Sequence, residues 1–207
     1  MKIRNQMSAF GVYHSHRLWL GVCDISPAWA VCVAYSLYGQ PRPRCRISKC
    51  SCLRFFMDLS GNRELLDRPM VAFFASRTAP EGALALATRW AEQVTQTEQV
   101  VISGFHSPIE RAVLDVLLNH RHPVIVALGR SLYRKCPPLF QAPFAEGRLL
   151  FISFRTSCRA SFSTAQQRNW ATADLADELV FAPFNPSSQL STLHYTYDHS
   201  KKPCRIL

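Results

Sequence analysis

Residues 100–110, VVISGFHSPIE, decide the fold of this sequence. The first four form a short apolar run that is long enough for one buried strand. Gly104 then permits a turn, and Ser107, followed by Pro108 and by Glu110, is typical of the start of a capped helix. The stretch therefore predicts a strand that ends in a glycine turn and passes directly into a helix.

The same unit recurs on both sides of this stretch. Upstream, Val71–Phe74 predicts a strand, and Thr78 with Glu81 predicts a capping box for a helix over residues 81–95. The buried face of that helix is predicted to hold Leu84 and Trp90, among other residues. Downstream, apolar runs and capping signals predict strands at Pro123–Leu128, Leu149–Ser153, Glu178–Ala182 and Pro203–Leu207, and helices at Leu139–Glu146, 163–176 (with a Ser163 and Gln166 box) and Gln189–Tyr197.

Alternating strands and helices predict the fold class. They imply parallel β-α-β units with right-handed crossovers. Pro123–Leu128 lacks polar alternation, so it is expected to be covered on both faces. We therefore predict a doubly wound α/β fold with a mostly parallel, Rossmann-like sheet from about Met70 onward, within a domain of residues 57–207. Ligands of such folds bind at the carboxyl ends of the strands.

The positive charge is concentrated upstream of this domain. The whole chain has a net charge of +10, which usually indicates an anionic partner. Residues 1–56 carry eight Lys or Arg and one Asp, whereas residues 57–207 carry sixteen basic and thirteen acidic side chains, a net +3. The global charge therefore says little about the ligand of the α/β domain.

Residues 1–56 allow two interpretations. Leu18–Tyr38 is apolar and of membrane-spanning length, but Asp24 and Pro27 interrupt it. The segment is either a basic membrane-proximal anchor or a poorly structured, non-native extension, and a membrane partner is not expected. Three of its five cysteines, Cys45, Cys50 and Cys52, lie close together but lack the second half of a zinc site. We expect reduced thiols, a cytoplasmic location, no bound metal and no cofactor.

Four loops of the predicted domain combine small residues, hydroxyls or a cation with the start of a helix. Because helix N-termini present free N–H groups, this composition suits the binding of phosphate oxygens. Neither the dinucleotide fingerprint nor the P-loop motif occurs, which argues against a conventional dehydrogenase or P-loop NTPase. The loops are Ala75–Arg77, Ser103–Ser107, Gly129–Ser131 and Asn185–Thr192.

These loops also resemble a known family, that of DNA-processing protein A (DprA, also called Smf). Ala75-Ser76-Arg77 is similar to its Gly-Ser-Arg, and Val101–Gly104 to its Val-Val-Ser-Gly. Val126–Gly129 resembles its Ala-Val-Leu-Gly strand end. Further matches in the same order, over residues 70–207, are Ile109-Glu110, Phe162 with Arg168-Asn169, Ser188–Thr192 and Lys202-Pro203.

The resemblance implies binding of single-stranded DNA, a role in DNA uptake and transformation, a recombinase partner and a homodimer. The sequence departs from the family pattern at Arg130-Ser131, at Trp170, and in having no winged-helix domain after Leu207. The signature of the related Lonely Guy hydrolases is also absent. The phosphate- or nucleic-acid-binding residues implied are Ser76, Arg77, Ser103, Gly104, Gly129, Arg130, Arg168, Asn169, Ser188, Gln189, Ser191 and Thr192.

A second hypothesis remains open at this stage. The modest charge of the domain favours a sensor or hydrolase that binds a free nucleotide or nucleotide-sugar. No nucleophile with a general base is apparent, which favours a binding protein over an enzyme. Single residues also keep two interpretations: Arg77 binds phosphate or pairs with Glu81, Glu110 is an acid or only a helix cap, and Trp170 is a core residue or a base-stacking platform.

Overall fold

A seven-stranded sheet is the centre of the computed structural model, which describes residues 57–154 and 161–207. The order is β1-β5-β4-β3-β2-β6-β7, and every neighbouring pair is parallel except β1 with β5. The mostly parallel α/β fold is thus confirmed. The strands are β1 Asp58–Gly61, β2 Met70–Phe74, β3 Val100–Ser103, β4 Val124–Leu128, β5 Leu149–Ser153, β6 Glu178–Phe181 and β7 Cys204–Ile206.

Five α-helices and one short 3-10 helix accompany the described strands. The predicted helices are all present, and their predicted bounds differ from the observed ones by one or two residues. The 3-10 helix is Arg63–Asp67, and the α-helices are α1 Ala83–Val94, α2 Pro108–Asn119, α3 Pro138–Ala145, α4 Phe162–Leu175 and α5 Leu190–Asp198.

Two helix starts differ from the prediction. The box expected at Thr78–Glu81 does not form, because Gly82, with a φ of 82°, turns the chain and α1 begins after it without a side-chain cap. Helix α4 does have a capping box, but it joins Ser161 and Thr164 rather than Ser163 and Gln166. The cap is therefore Ser161, two residues before the predicted Ser163. The third helical residue is Thr164, whose hydroxyl takes the place of the amide expected from Gln166.

Strand β1 was missed by the sequence prediction. It pairs antiparallel with β5 at the sheet edge, with Asp58 opposite Ser153 and Gly61 opposite Leu150. Its sequence, DLSG, contains one apolar residue and no run that indicates burial. Tertiary pairing with β5 therefore holds a segment whose local sequence does not favour a strand.

The sheet is covered on both faces. Helices α1 and α2 pack together on one face, where Phe73 of β2 stacks on Trp90 with ring centroids 4.7 Å apart. Helix α4 contacts β2, β3 and β4 and supplies the buried Ala173. Leu84 does not join the predicted buried face of α1: it is 52% exposed, and Ala83 is buried instead. The buried face of α1 thus consists of Ala83, Ala87, Trp90, Ala91 and Val94, and Leu84 lies beside it.

The strand order places a topological switch point beside β2. From β2 the chain proceeds through β3, β4 and β5 on one side, and it then crosses back through α4 to β6 on the other side of β2. The loops that leave β2 and β6 therefore start at adjacent strand ends and lead away from each other. Ligands of open α/β sheets bind in the crevice that forms at this point.

The N-terminal predictions lie outside the described residues. This applies to the apolar stretch Leu18–Tyr38 and to Cys45, Cys50 and Cys52. Within residues 57–154 and 161–207, none of the helices has both the length and the apolar content needed to cross a membrane.

The buried His122 should make folding stability depend on pH. Only 4% of the residue is exposed, and desolvation lowers the pKa of His122 below 6.5; a backbone hydrogen bond with Gln99 acts in the opposite direction, and the charge of Arg68 adds a smaller lowering. Above pH 6.5 both folded and unfolded states hold a neutral imidazole. As the pH falls below 6.5 the unfolded state takes up the proton first, so the free energy of unfolding should fall.

Urea unfolding at pH 7.5 and pH 5.5 measures this effect. His122→Asn should reduce the loss of stability between the two pH values that the unmodified chain shows. An equal pH dependence in the unmodified chain and in His122→Asn would contradict the prediction.

Candidate functional site

Four parallel strands deliver their carboxyl ends to one edge of the sheet. They are β4, β3, β2 and β6, in that order across the sheet. Phe74 at the end of β2 lies opposite Phe181 of β6, and Ser103 at the end of β3 lies opposite Val126 of β4. The four loops predicted to bind phosphate therefore follow adjacent strand ends.

Glu110 joins two of these loops. Its carboxylate accepts hydrogen bonds from the backbone N–H groups of Ala75 at 3.3 Å, His106 at 2.7 Å and Ser107 at 3.1 Å. Its own N–H donates to the Ser107 hydroxyl, which completes the capping box. The helix-cap interpretation is thus confirmed, and the bond to Ala75 extends it, because the same side chain also binds the end of β2.

Arg168 of α4 lies against the turn that follows β3. Only 5% of the residue is exposed. A Cβ added at Gly104 would overlap the guanidinium, with Nη2 2.7 Å away. The Arg168 Nε and Nη2 both donate to Asn169 Oδ1, at 3.2 and 2.8 Å. Nη1 is buried and has no hydrogen-bond partner among the described residues.

An unpartnered buried donor is uncommon in folded proteins and usually has a structural or functional reason. Burial lowers the pKa of Arg168, the negative charge of Glu110 acts in the opposite direction, and the positive charge of Arg77 adds to the lowering. Arginine nevertheless keeps its proton in proteins. Arg168 therefore places an only partly neutralised positive charge beneath the β3 turn.

His106 senses the same positive charges. Desolvation of its imidazole, followed by the charges of Arg168, Arg111 and Arg77, lowers the pKa of His106 to about 4, although the residue keeps an exposed surface. At neutral pH the imidazole is thus uncharged, and the arginines carry the positive charge of this edge.

The loops after β2 and β6 meet through two serines. The Ser188 hydroxyl donates to the Ser76 hydroxyl at 3.3 Å and also accepts from the Leu190 N–H at 3.3 Å, at the start of α5. Ser191 donates to the carbonyl of Pro186 at 2.6 Å. This loop therefore both caps α5 and contacts the β2 loop.

The loop after β4 contacts the start of α4. A Cβ added at Gly129 would lie 3.5 Å from Thr164 O and Ala165 N, an ordinary contact distance. Arg130 places its guanidinium 5.4 Å from the Tyr133 ring centroid, and its buried Nε has no hydrogen-bond partner within the described residues. This arginine is thus oriented by an aromatic ring rather than by an acid.

Some of the predicted site residues contact one another in the structure, and others do not. Gly104 with Arg168, and Ser76 with Ser188, are in direct contact. Ser103 is fully buried, and its hydroxyl accepts from the Phe105 N–H at 3.4 Å, so its side chain does not face the solvent. The exposed predicted residues are Arg77, Gln189 and Thr192.

Two of the open interpretations can be compared with the geometry. No ion pair joins Arg77 and Glu81 in the part of the chain that the structure describes. Trp170 is half-buried and its ring centroid lies 6.0 Å from that of Tyr197, which is itself buried. The half-buried ring of Trp170 is not part of the buried core, so the core and base-stacking interpretations both stay open.

Sequence reasoning missed one member of this edge. Arg111 was not considered, although it lies in the first turn of α2, directly after the capping Glu110, and its charge helps to lower the pKa of His106. His106 itself belongs to a predicted loop and is exposed, as the solvent-facing interpretation expects. The signal that could have found Arg111 is its position in the first turn of the helix that follows a predicted strand end.

Fold and edge together define a Rossmann-like α/β protein whose loops present arginines and hydroxyls at a switch point. Among solved structures, DNA processing protein A from Helicobacter pylori is similar over 72% of this chain and 70% of its own, with a TM-score of 0.59 and 18% identity. DprA from Streptococcus pneumoniae is similar over 69% of this chain and 51% of its own, with a TM-score of 0.56 and 21% identity. The chain thus contains a DprA-like Rossmann domain.

Comparison by sequence adds no further assignment. No model of a known protein family matches the chain, and no curated protein matches it. The similarity to the two DprA structures shows the fold, and it spans about half of the S. pneumoniae protein.

Gly104→Ala should destabilise the domain because the new methyl group would overlap the Arg168 guanidinium. Overpacking of this kind costs about 1–3 kcal/mol. Gly129→Ala is the matched control, since its methyl group would meet ordinary contacts. Adding Arg168→Ala to Gly104→Ala should restore much of the loss in a urea-unfolding double-mutant cycle. Additive effects would show that the two residues are not in contact.

Proposed function

We propose that this protein is a DprA-like DNA-processing protein that binds single-stranded DNA at the carboxyl edge of its sheet. The observation that carries the proposal is the buried Arg168, whose Nη1 lacks a partner among the described residues beneath the Gly104 turn. A phosphate oxygen is a suitable acceptor for this donor, because hydrogen bonds from arginine to phosphate are charge-assisted.

Other groups at the edge support the same ligand. Arg77 and Arg130 extend the positive charge to the ends of β2 and β4. The Ser76 and Ser188 hydroxyls supply donors of a kind that often contacts phosphates. Asn169 binds Arg168 through its only side-chain oxygen acceptor, so we assign it the role of positioning that arginine rather than of contacting DNA.

The solved DprA of H. pylori is described as having a unique mode of binding single-stranded DNA. Since our chain shares its fold, the same class of ligand is the natural first test. A cytoplasmic role in DNA uptake and transformation, a recombinase partner and a homodimer complete the proposal. A pull-down with a recombinase and a mass measurement in solution would test the last two.

Arg168→Ala should weaken binding of single-stranded DNA. Loss of a hydrogen bond to a charged group costs about 1.5–3 kcal/mol, which corresponds to a Kd about 10- to 100-fold higher. The measurement is fluorescence anisotropy of a labelled oligo(dT) at low salt, with the full chain. Arg89→Ala, at an exposed arginine of α1, is the control for net charge.

Circular dichroism should first show that both variants are folded. Equal affinities of Arg168→Ala and Arg89→Ala would remove Arg168 from the interface. Absence of any binding by the unmodified chain at low salt would refute DNA binding altogether.

A second candidate function is the binding of a free nucleotide or nucleotide-sugar. The net charge of +3 on residues 57–207 and the buried guanidinium of Arg168 favour a small anion. This candidate predicts that a nucleotide at 100 times its Kd raises the free energy of unfolding by about 2.7 kcal/mol. Thermal unfolding with a panel of nucleotides tests it: a shift with nucleotides and none with oligo(dT) would favour this function over DNA binding.

A further inference from the structure

The segment between β4 and α3 carries a cluster of positive charge beside the site. Three of its side chains are basic, Arg130, Arg134 and Lys135, and no acidic residue lies between Gly129 and Pro137. We call Arg130–Lys135 the basic segment. It leaves the strand end next to β3, whose turn covers Arg168.

Apolar contacts hold the basic segment against the core. Leu132, Tyr133 and Cys136 pack on the hydrophobic core. The Tyr133 ring meets that of Phe151 edge to face, with centroids 5.3 Å apart, and the Arg130 carbonyl accepts from the Ser153 hydroxyl at 2.7 Å. Because these residues are anchored, the exposed Arg134 and Lys135 are presented from a backbone that is attached on both sides.

Arg134 and Lys135 have neither an ion pair nor a hydrogen bond among the described residues. In the same part of the chain, glutamates away from the edge pair with arginines in four ion pairs, and Lys202 binds carbonyls at the end of α4. Arginines with no ion pair in the described ranges, such as Arg63 and Arg89, also occur away from the edge. It is therefore the position of Arg134 and Lys135 that matters. The paired arginines are Arg68, Arg121, Arg148 and Arg205.

Position then suggests the kind of ligand. Neighbouring strands lie about 4.8 Å apart, so the ends of β2 and β4 are separated by about 10 Å. A ligand that bridges the Ser76 loop and the basic segment through its negative charges needs charges separated by roughly this distance. A polynucleotide backbone carries such charges, whereas the phosphates of one nucleotide are adjacent.

We propose, on the basis of the function proposed above, that the basic segment is a second contact zone for the backbone of single-stranded nucleic acid. The strand lies across the sheet edge from the loops of β2 and β3 toward Arg134 and Lys135. Sequence-independent contacts of this kind act through phosphate charge and the release of counterions. The second zone makes the site selective for a strand over a free nucleotide.

The experiment compares the full chain with two double variants of equal charge. Arg134→Ala with Lys135→Ala removes the second zone. Arg63→Ala with Arg89→Ala removes two exposed arginines that lie away from the sheet edge and have no ion pair within the described residues. Residues 1–56 are identical in all three proteins, so their charge contributes equally. Anisotropy with labelled oligo(dT) between 50 and 300 mM salt is measured for each.

The slope of log K against log salt should become less steep by about 1.4 in the Arg134/Lys135 variant, since each phosphate contact on a single strand contributes about 0.7. Its affinity at 50 mM salt should fall by about tenfold or more. The Arg63/Arg89 variant should change neither quantity. Binding of thymidine monophosphate, measured by competition, should be the same in all three proteins.

Two results would overturn the second contact zone while leaving the proposed function intact. One is an equal slope in the two double variants. The other is an equal loss of affinity for oligo(dT) and for thymidine monophosphate in the Arg134/Lys135 variant. Failure of the unmodified chain to bind oligo(dT) would instead refute the proposed function itself.

Discussion

The carboxylate of Glu110 is the contact on which the candidate site depends. It accepts from N–H groups at the end of β2 and in the turn after β3, so one buried side chain holds two loops in register. A buried carboxylate is stable only when it is hydrogen-bonded or paired. Here three backbone donors meet that requirement, and the negative charge also attracts the buried Arg168.

Arg168 is the counterpart of this carboxylate on the other face of the sheet edge. The glycine at position 104 is required because the guanidinium occupies the space of a side chain. Asn169 satisfies two of the guanidinium nitrogens and leaves Nη1 without a partner in the described residues. The edge thus holds a fixed cation with one buried donor that has no partner among the described residues, and this unpartnered donor is what the proposed function builds on.

Much of the fold could be predicted from local pattern. Val100–Ser103 and Leu149–Ser153 are strands with the predicted bounds, because each is a short, mostly apolar run with a glycine close to one end, Gly104 after the first and Gly147 before the second. The Ser107 and Glu110 box was also predicted correctly. Strand β1 and the start of α1 were not predicted, since the first depends on pairing with β5 and the second on the left-handed conformation of Gly82.

By itself the sequence determined the alternation of strands and helices, and hence which loops share the carboxyl edge. It also placed Gly104, Arg168, Ser76 and Ser188 among the candidates, with the help of a family resemblance. Only the tertiary structure decided that Arg168 lies beneath Gly104, that Ser103 is buried and that Glu110 bridges two strands. The physical reason is that periodicity reports burial within one element, whereas these contacts join residues that only the crossover of α4 and the order of the strands bring together.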